Sequence, residues 1–339
     1  MLCAVPAMKI STLFGVPKMR LVQHYPDLRP LHRAAVGRDW PAVATFFAEL
    51  PAEHDPSVAT GVLADLKGAE SLLEQAVDGP TAPTLAATLL GARWVTMGWE
   101  IRSSRGASAV RQEQFRQFHA YLRRADDLLD QVTADEPGNV AAWTTRVRIA
   151  RGLQVGQAEA RRRYDRAAEA RPNPFVAQLD LLQQLCPKWG GSAEQLHAFA
   201  RECASQAPGG ALSAAAVAEA HIEQARQEKS TTGYLRQPWV REQLAQAVAQ
   251  SVGHPAYRPV HGWVQAHSSF AYAWTLAGDR RRAAWHLADL DNRMTSYPWQ
   301  YWPGAGRTTY KARQLGTYVK ALGRGGADNE TVVVHNAMR

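Results

Sequence analysis

Apolar residues recur along most of the chain at three- and four-residue intervals, and very few runs alternate apolar and polar at period two. The pattern predicts an all-α protein of about fourteen helices joined by short turns. Several helices carry their own start signals. Gly37 closes one helix and Asp39 caps the next, with Pro41 in the first turn, where a missing N–H is harmless. Gly278-Asp279 repeats that device. Ser192 with Gln195 reads as a capping box, and Pro137, Pro172, Pro208 and Pro238 each precede a new apolar-periodic segment.

The prolines are spaced in a way that predicts how the helices associate. Pro137 and Pro172 lie 35 residues apart, and Pro172 and Pro208 lie 36 apart. A unit of about 34 residues, two helices and a turn, is the period of a tetratricopeptide-type array. Trp143 early in a first helix, then Ala160, Tyr164 and Ala167 in a second, fit one unit. Ala271, Trp274, Ala283 and Leu287 around Gly278 fit another. The expected fold is an irregular tetratricopeptide-like array of helical hairpins, an α-solenoid, over residues 134–322. Residues 1–133 read as a helical region without clear repeat register, and 323–339 as a flexible tail.

Two stretches bear a closer likeness. One runs Cys186-Pro187-Lys188-Trp189-Gly190-Gly191-Ser192, followed by Phe199-Ala200-Arg201. The other is His267 to Asp279, continuing through Ala283-Ala284 to Pro298-Trp299-Gln300-Tyr301. Together they resemble an uncharacterised bacterial family with a tetratricopeptide-like helical domain that carries this Cys-Pro-Lys-Trp-Gly-Gly-Ser turn. The resemblance covers about residues 135–305 and implies a helical fold. It implies no activity.

Composition narrows the class. Over 339 residues, 46% are hydrophobic and 21% charged, which excludes a mainly disordered chain. Three cysteines exclude a disulfide scaffold. No apolar run approaches the roughly 20 residues that cross a bilayer. The N-terminus lacks a basic start followed by an unbroken apolar core, so a cytoplasmic protein without a membrane partner is expected. The net charge is +8, and residues 231–339 carry most of it, with thirteen basic against six acidic side chains. Arginine dominates, 32 against 7 lysines, which suits anionic partners but is also what a GC-rich genome encodes.

The candidate site with the best local signal is the aromatic segment Tyr297-Pro298-Trp299-Gln300-Tyr301-Trp302-Pro303, which cannot be helix interior. Tyr297, Trp299, Tyr301 and Trp302 could grip a peptide, with Arg293, Arg307, Lys311 and Arg313 drawing acidic groups. The competing reading has these rings seal the end of the array. The leading expectation is therefore a non-enzymatic module that binds a protein or peptide, acidic in character, on a concave helical surface. One alternative is an enzyme or small-molecule binder with a pocket near His254, His261, His267 and the aromatic loop. Another is nucleic-acid binding through Arg161-Arg162-Arg163 and Arg280-Arg281-Arg282, although Asp165 and Glu169 follow the first run and Asp279 precedes the second, as on solvated faces. Cys186 with Lys188 reads as a structural turn more than a reactive thiol, because a helix C-terminus disfavours a thiolate. Phosphate-binding loops, the Gly-x-Ser-x-Gly elbow and Cys-x-x-Cys pairs are absent from the sequence. No catalytic residue, metal or cofactor is implied.

Overall fold

The computed structural model describes residues 18–102 and 111–302. Among the described residues there are sixteen α-helices and four short 3-10 turns, and no strand beyond one isolated bridge. Five short helices come first: α1 (Leu21–His24), α2 (Arg29–Val36), α3 (Trp40–Ala48), α4 (Pro56–Ala64) and α5 (Glu70–Val77). Two long ones follow, α6 (Pro83–Arg102) and α7 (Gln112–Asp135). Next come α8 (Val140–Leu153), α9 (Gln157–Ala170), α10 (Phe175–Gln184), α11 (Ala193–Gln206) and α12 (Ala215–Ala225). The last four are α13 (Thr231–Leu235), α14 (Pro238–Gln250), α15 (Trp263–Leu276) and α16 (Arg280–Leu290).

The caps act as their sequences require. Asp39 accepts from the Ala42 N–H, Asp279 from Arg282 N–H and Ser192 from Gln195 N–H, each satisfying a donor that the first helical turn leaves free. At Ser192 this is half of the expected capping box, since the Gln195 side chain makes no return bond to the cap among the described residues.

Two kinds of helix divide the molecule into an inner and an outer layer. In α8, α12 and α15 nearly every position is buried: Val140 to Val147, Ala215 to Glu223, and Ala266 to Trp274 are continuous buried runs. Such helices have neighbours on all sides. By contrast, α7 and α9 bury a single stripe, Phe118, Leu122, Ala125 and Leu129 in the first and Ala160, Tyr164 and Ala167 in the second. The inner helices α8, α10, α12 and α15 pack side by side in chain order, and α7, α9, α11 and α16 cover them from outside. Gly152 lets α7 approach α8 closely, because a Cβ there would overlap Leu122 and Phe118. The core runs from Tyr25 to Trp299 and continues across residue 133 through the packing of α6, α7 and α8.

The two ends of the described chain meet. Lys18 and residues 292–294 exchange backbone hydrogen bonds, Lys18 N–H to Asn292 C=O at 2.8 Å and Met294 N–H to Lys18 C=O at 2.9 Å. The His24 Nε2 lies 2.8 Å from the Lys18 carbonyl and 3.0 Å from that of Met294. Arg293 donates to the His24 carbonyl at 3.2 Å, and the Tyr25 hydroxyl accepts from the Gly262 N–H at 2.9 Å. The inner layer is thereby drawn round a central space. No described helix is long and apolar enough to cross a membrane.

Candidate functional site

The four inner helices, α4, α6 and the meeting ends build a chamber of about 490 Å³. Ser57 and Thr60 come from α4, Thr96 from α6, Thr144 and Arg148 from α8, and Leu179, Asp180 and Gln183 from α10. Glu219 comes from α12 and Gln265 from α15, while Tyr25 and Tyr297 belong to the closing segments. Val58, Phe175, Val176 and Leu179 make part of the wall apolar. A volume of this size falls in the range that takes a small organic ligand.

The polar side of the chamber is ordered by one ion pair. Arg148 Nε lies 3.2 and 3.1 Å from the two carboxylate oxygens of Asp180, and its Nη2 lies 3.0 Å from Oδ2. Arg151 adds a bond to the Asp180 carbonyl at 3.1 Å and a contact to its carboxylate at 3.3 Å. Asp180 raises the Arg148 pKa above its ordinary value. Asp65, just beyond α4, lines the chamber and is exposed to solvent, with neighbouring protein on one side. Desolvation pushes its carboxyl pKa up, against the pull of Arg148.

Glu219 is the third acid of the wall, and it stands on a helix rich in alanine. It is 2% exposed and accepts from Gln265 Nε2 at 2.8 Å and Ser269 Oγ at 2.9 Å. Burial pushes its pKa up to about 7 despite those two bonds, and the nearby charges of Glu223 and Asp180 push the same way. Two more wall residues, Thr60 and Tyr297, have buried hydroxyls with no hydrogen-bond partner among the described residues. Buried polar groups are rarely left in that condition.

The aromatic segment turns inward. Trp299 is 2% exposed and packs with Trp302 against Tyr272, at ring separations of 5.5 and 5.6 Å. Tyr301 lies over Arg226, whose guanidinium carbon is 3.4 Å from the ring centroid, with Lys188 Nζ at 5.9 Å. Tyr297 lines the chamber. Arg293 is engaged in the ring closure and lies over Trp263 at 5.5 Å. The rings of this segment therefore act as packing and cover, so Trp299 does not stand out as an exposed anchor. Arg307, Lys311 and Arg313 lie outside the described residues, as does the segment 323–339.

The histidines expected near one pocket go to three places. His254 accepts from the Ala256 N–H inside its own turn at 3.1 Å. His261 pairs with Asp27 at the closure, Nε2 to Oδ2 2.6 Å. His267 is buried beside His286, Trp263 and Trp285, and burial drives its pKa down to about 3. The Cys-Pro-Lys-Trp-Gly-Gly-Ser turn is built for close packing: Gly190 has φ +86°, and a Cβ on Gly191 would strike the Leu185 carbonyl. Burial raises the Cys186 thiol to about 12, and Lys188 is committed to Glu223 at 2.7 Å. Arg161, Arg162 and Arg163 are each ion-paired, with Glu202 and Asp165, with Glu159, and with Asp126 and Glu159.

Sequence reasoning missed Asp65, Arg148, Asp180, Glu219 and Gln265, which come from four helices and the residue following a fifth, and share no motif. Their signal was charge in the wrong place: Arg148, Asp180 and Glu219 stand on helices that are buried on most sides. Compared with known proteins, the chain matches no family model, no curated protein and no solved structure.

Proposed function

We propose that the protein binds a small organic molecule in the central chamber, and that the helices from α8 onward form a tetratricopeptide-like array drawn into a ring. The size of the chamber and its mixed lining, the Arg148–Asp180 pair, Glu219 and Gln265 against Val58, Phe175 and Leu179, carry this reading. The Arg148–Asp180 pair, Asp65 and the amides of Gln183 and Gln265 favour a ligand with both donors and acceptors. Leu179, Val58 and Val176 favour one apolar face. What supports this reading over peptide docking is the inward packing of Trp299 and Trp302.

Equilibrium dialysis of the purified chain against a low-molecular-weight cell extract, read by mass spectrometry, tests it. Wild-type protein should retain a compound that a Leu179→Trp variant, its chamber filled by the larger ring, does not. Equal retention by both proteins, or by neither, would count against the chamber.

A second reading rests on Glu219. A carboxyl that changes protonation near pH 7 on the wall of a chamber is suited to general acid–base work, so the bound molecule would be turned over. Glu219→Gln should then keep ligand binding and abolish conversion of the retained compound.

A further inference from the structure

Beside the chamber, the ring closure gathers three side chains that ligate metals, none of which lines it. Asp27 comes from the turn Pro26–Leu28, His54 from the turn ahead of α4, and His261 from the turn ahead of α15. One ligand atom from each lies within 4.8 Å of the others. Sequence spacing conceals this, since His261 is 207 positions from His54 and 234 from Asp27. The imidazoles of His54 and His261 stack with centroids 3.8 Å apart, and the His261 backbone N–H donates to His54 Nδ1 at 3.2 Å. His261 is buried, His54 half-buried and Asp27 exposed, so the group is reached from solvent on the Asp27 side.

A second observation concerns His261 itself. Its Nδ1 is buried without a hydrogen-bond partner among the described residues, while Nε2 is taken up by Asp27. The nitrogen that faces the other two side chains is Nε2, so an ion would replace its hydrogen bond to Asp27, and the two rings would fan out of their stack to give it both imidazoles. Two imidazoles with one carboxylate are the donor set of zinc and its first-row neighbours, whereas calcium and magnesium favour oxygen alone.

We propose that Asp27, His54 and His261 bind one Zn²⁺ ion, which fastens the N-terminal segment to the turn ahead of α15. Three protein ligands leave the fourth tetrahedral position for water. The site does not depend on the chamber holding a ligand, and its test leaves the chamber untouched.

Isothermal titration of the full chain with zinc chloride at about pH 7.5 measures it, with cobalt(II) absorption as a second report of a tetrahedral shell. Wild-type protein should take up one ion with Kd below about 1 μM. Asp27→Asn and His54→Gln variants with unchanged circular dichroism should bind more than roughly tenfold more weakly, since even an outer-shell partner is worth that much. His261 is left intact because its burial makes substitution a risk to folding. A wild-type Kd above about 1 μM, or a loss smaller than about tenfold in either folded variant, overturns the assignment.

Discussion

Glu219 and Glu223 lie one turn apart on α12, both almost wholly buried, and their surroundings are opposite. Glu219 faces the chamber and has an amide and a hydroxyl for partners. Burial therefore prevails, and its pKa is raised to about 7. Glu223 faces the aromatic cover and is held by Lys188, Gln183 and Arg226 at 2.7, 2.9 and 3.1 Å. Burial opposes its ionisation too, yet the neighbouring cations and hydrogen bonds hold its carboxyl below the ordinary range. The same residue type at the same depth on the same helix becomes a proton-exchanging group in one place and a fixed anion in the other. Partner identity, more than burial, separates a working wall from a structural one.

The contrast predicts substitutions of opposite sign. Glu223→Gln should be the larger loss, about 2–3 kcal/mol in urea unfolding near neutral pH, because it leaves Lys188 and Arg226 without their carboxylate. Both cations are about one-third exposed, which keeps the cost below that of a fully buried pair. Glu219→Gln should instead stabilise the protein by about 2 kcal/mol at about pH 8, where the wild-type carboxyl must ionise in its apolar surroundings.

The pH dependence sharpens this further. A folded-state pKa above the unfolded value gives stability that is full below about pH 4.5 and declines as pH rises through about 7. The Glu219→Gln variant should lose that decline, so its advantage over wild type grows across this window. Glu223 contributes in the other direction, with stability present above the unfolded carboxylate range and lost as acid protonates it. A smaller effect, about 1 kcal/mol, is expected for Tyr301→Leu, which removes the ring over Arg226. Smallest is Asp65→Asn, within about 0.5 kcal/mol of wild type in stability but weaker in retaining the chamber ligand.

Much of the helical framework was legible in the sequence, because caps and turns are local chemistry. Asp39, Ser192 and Asp279 act where their spacing puts them, and each proline at 137, 172, 208 and 238 stands at or shortly before a helix start. The chamber was not legible, because its walls are single residues contributed by helices far apart in the chain. Nor was the ring closure, in which Lys18, His24 and Tyr25 find partners beyond residue 260. The two motifs that stood out, the Cys-Pro-Lys-Trp-Gly-Gly-Ser turn and the aromatic segment, turn out to meet: Lys188 of the first lies 5.9 Å from the Tyr301 ring of the second. Their conspicuousness came from the demands of packing, in which large rings and tight glycines leave a recognisable pattern. The groups with adjustable charge left only a misplaced Glu, Asp or Arg among alanines and leucines.

The most direct test is a ¹³C-detected NMR titration of the glutamate side-chain carboxyls in wild type and in the two glutamine variants. One resonance should titrate near pH 7 and vanish in Glu219→Gln, while another, missing in Glu223→Gln, stays ionised to below the ordinary carboxylate range. If the Glu219 carboxyl titrates below about pH 5, the chamber has no neutral acid on its wall and the contrast drawn along α12 is wrong.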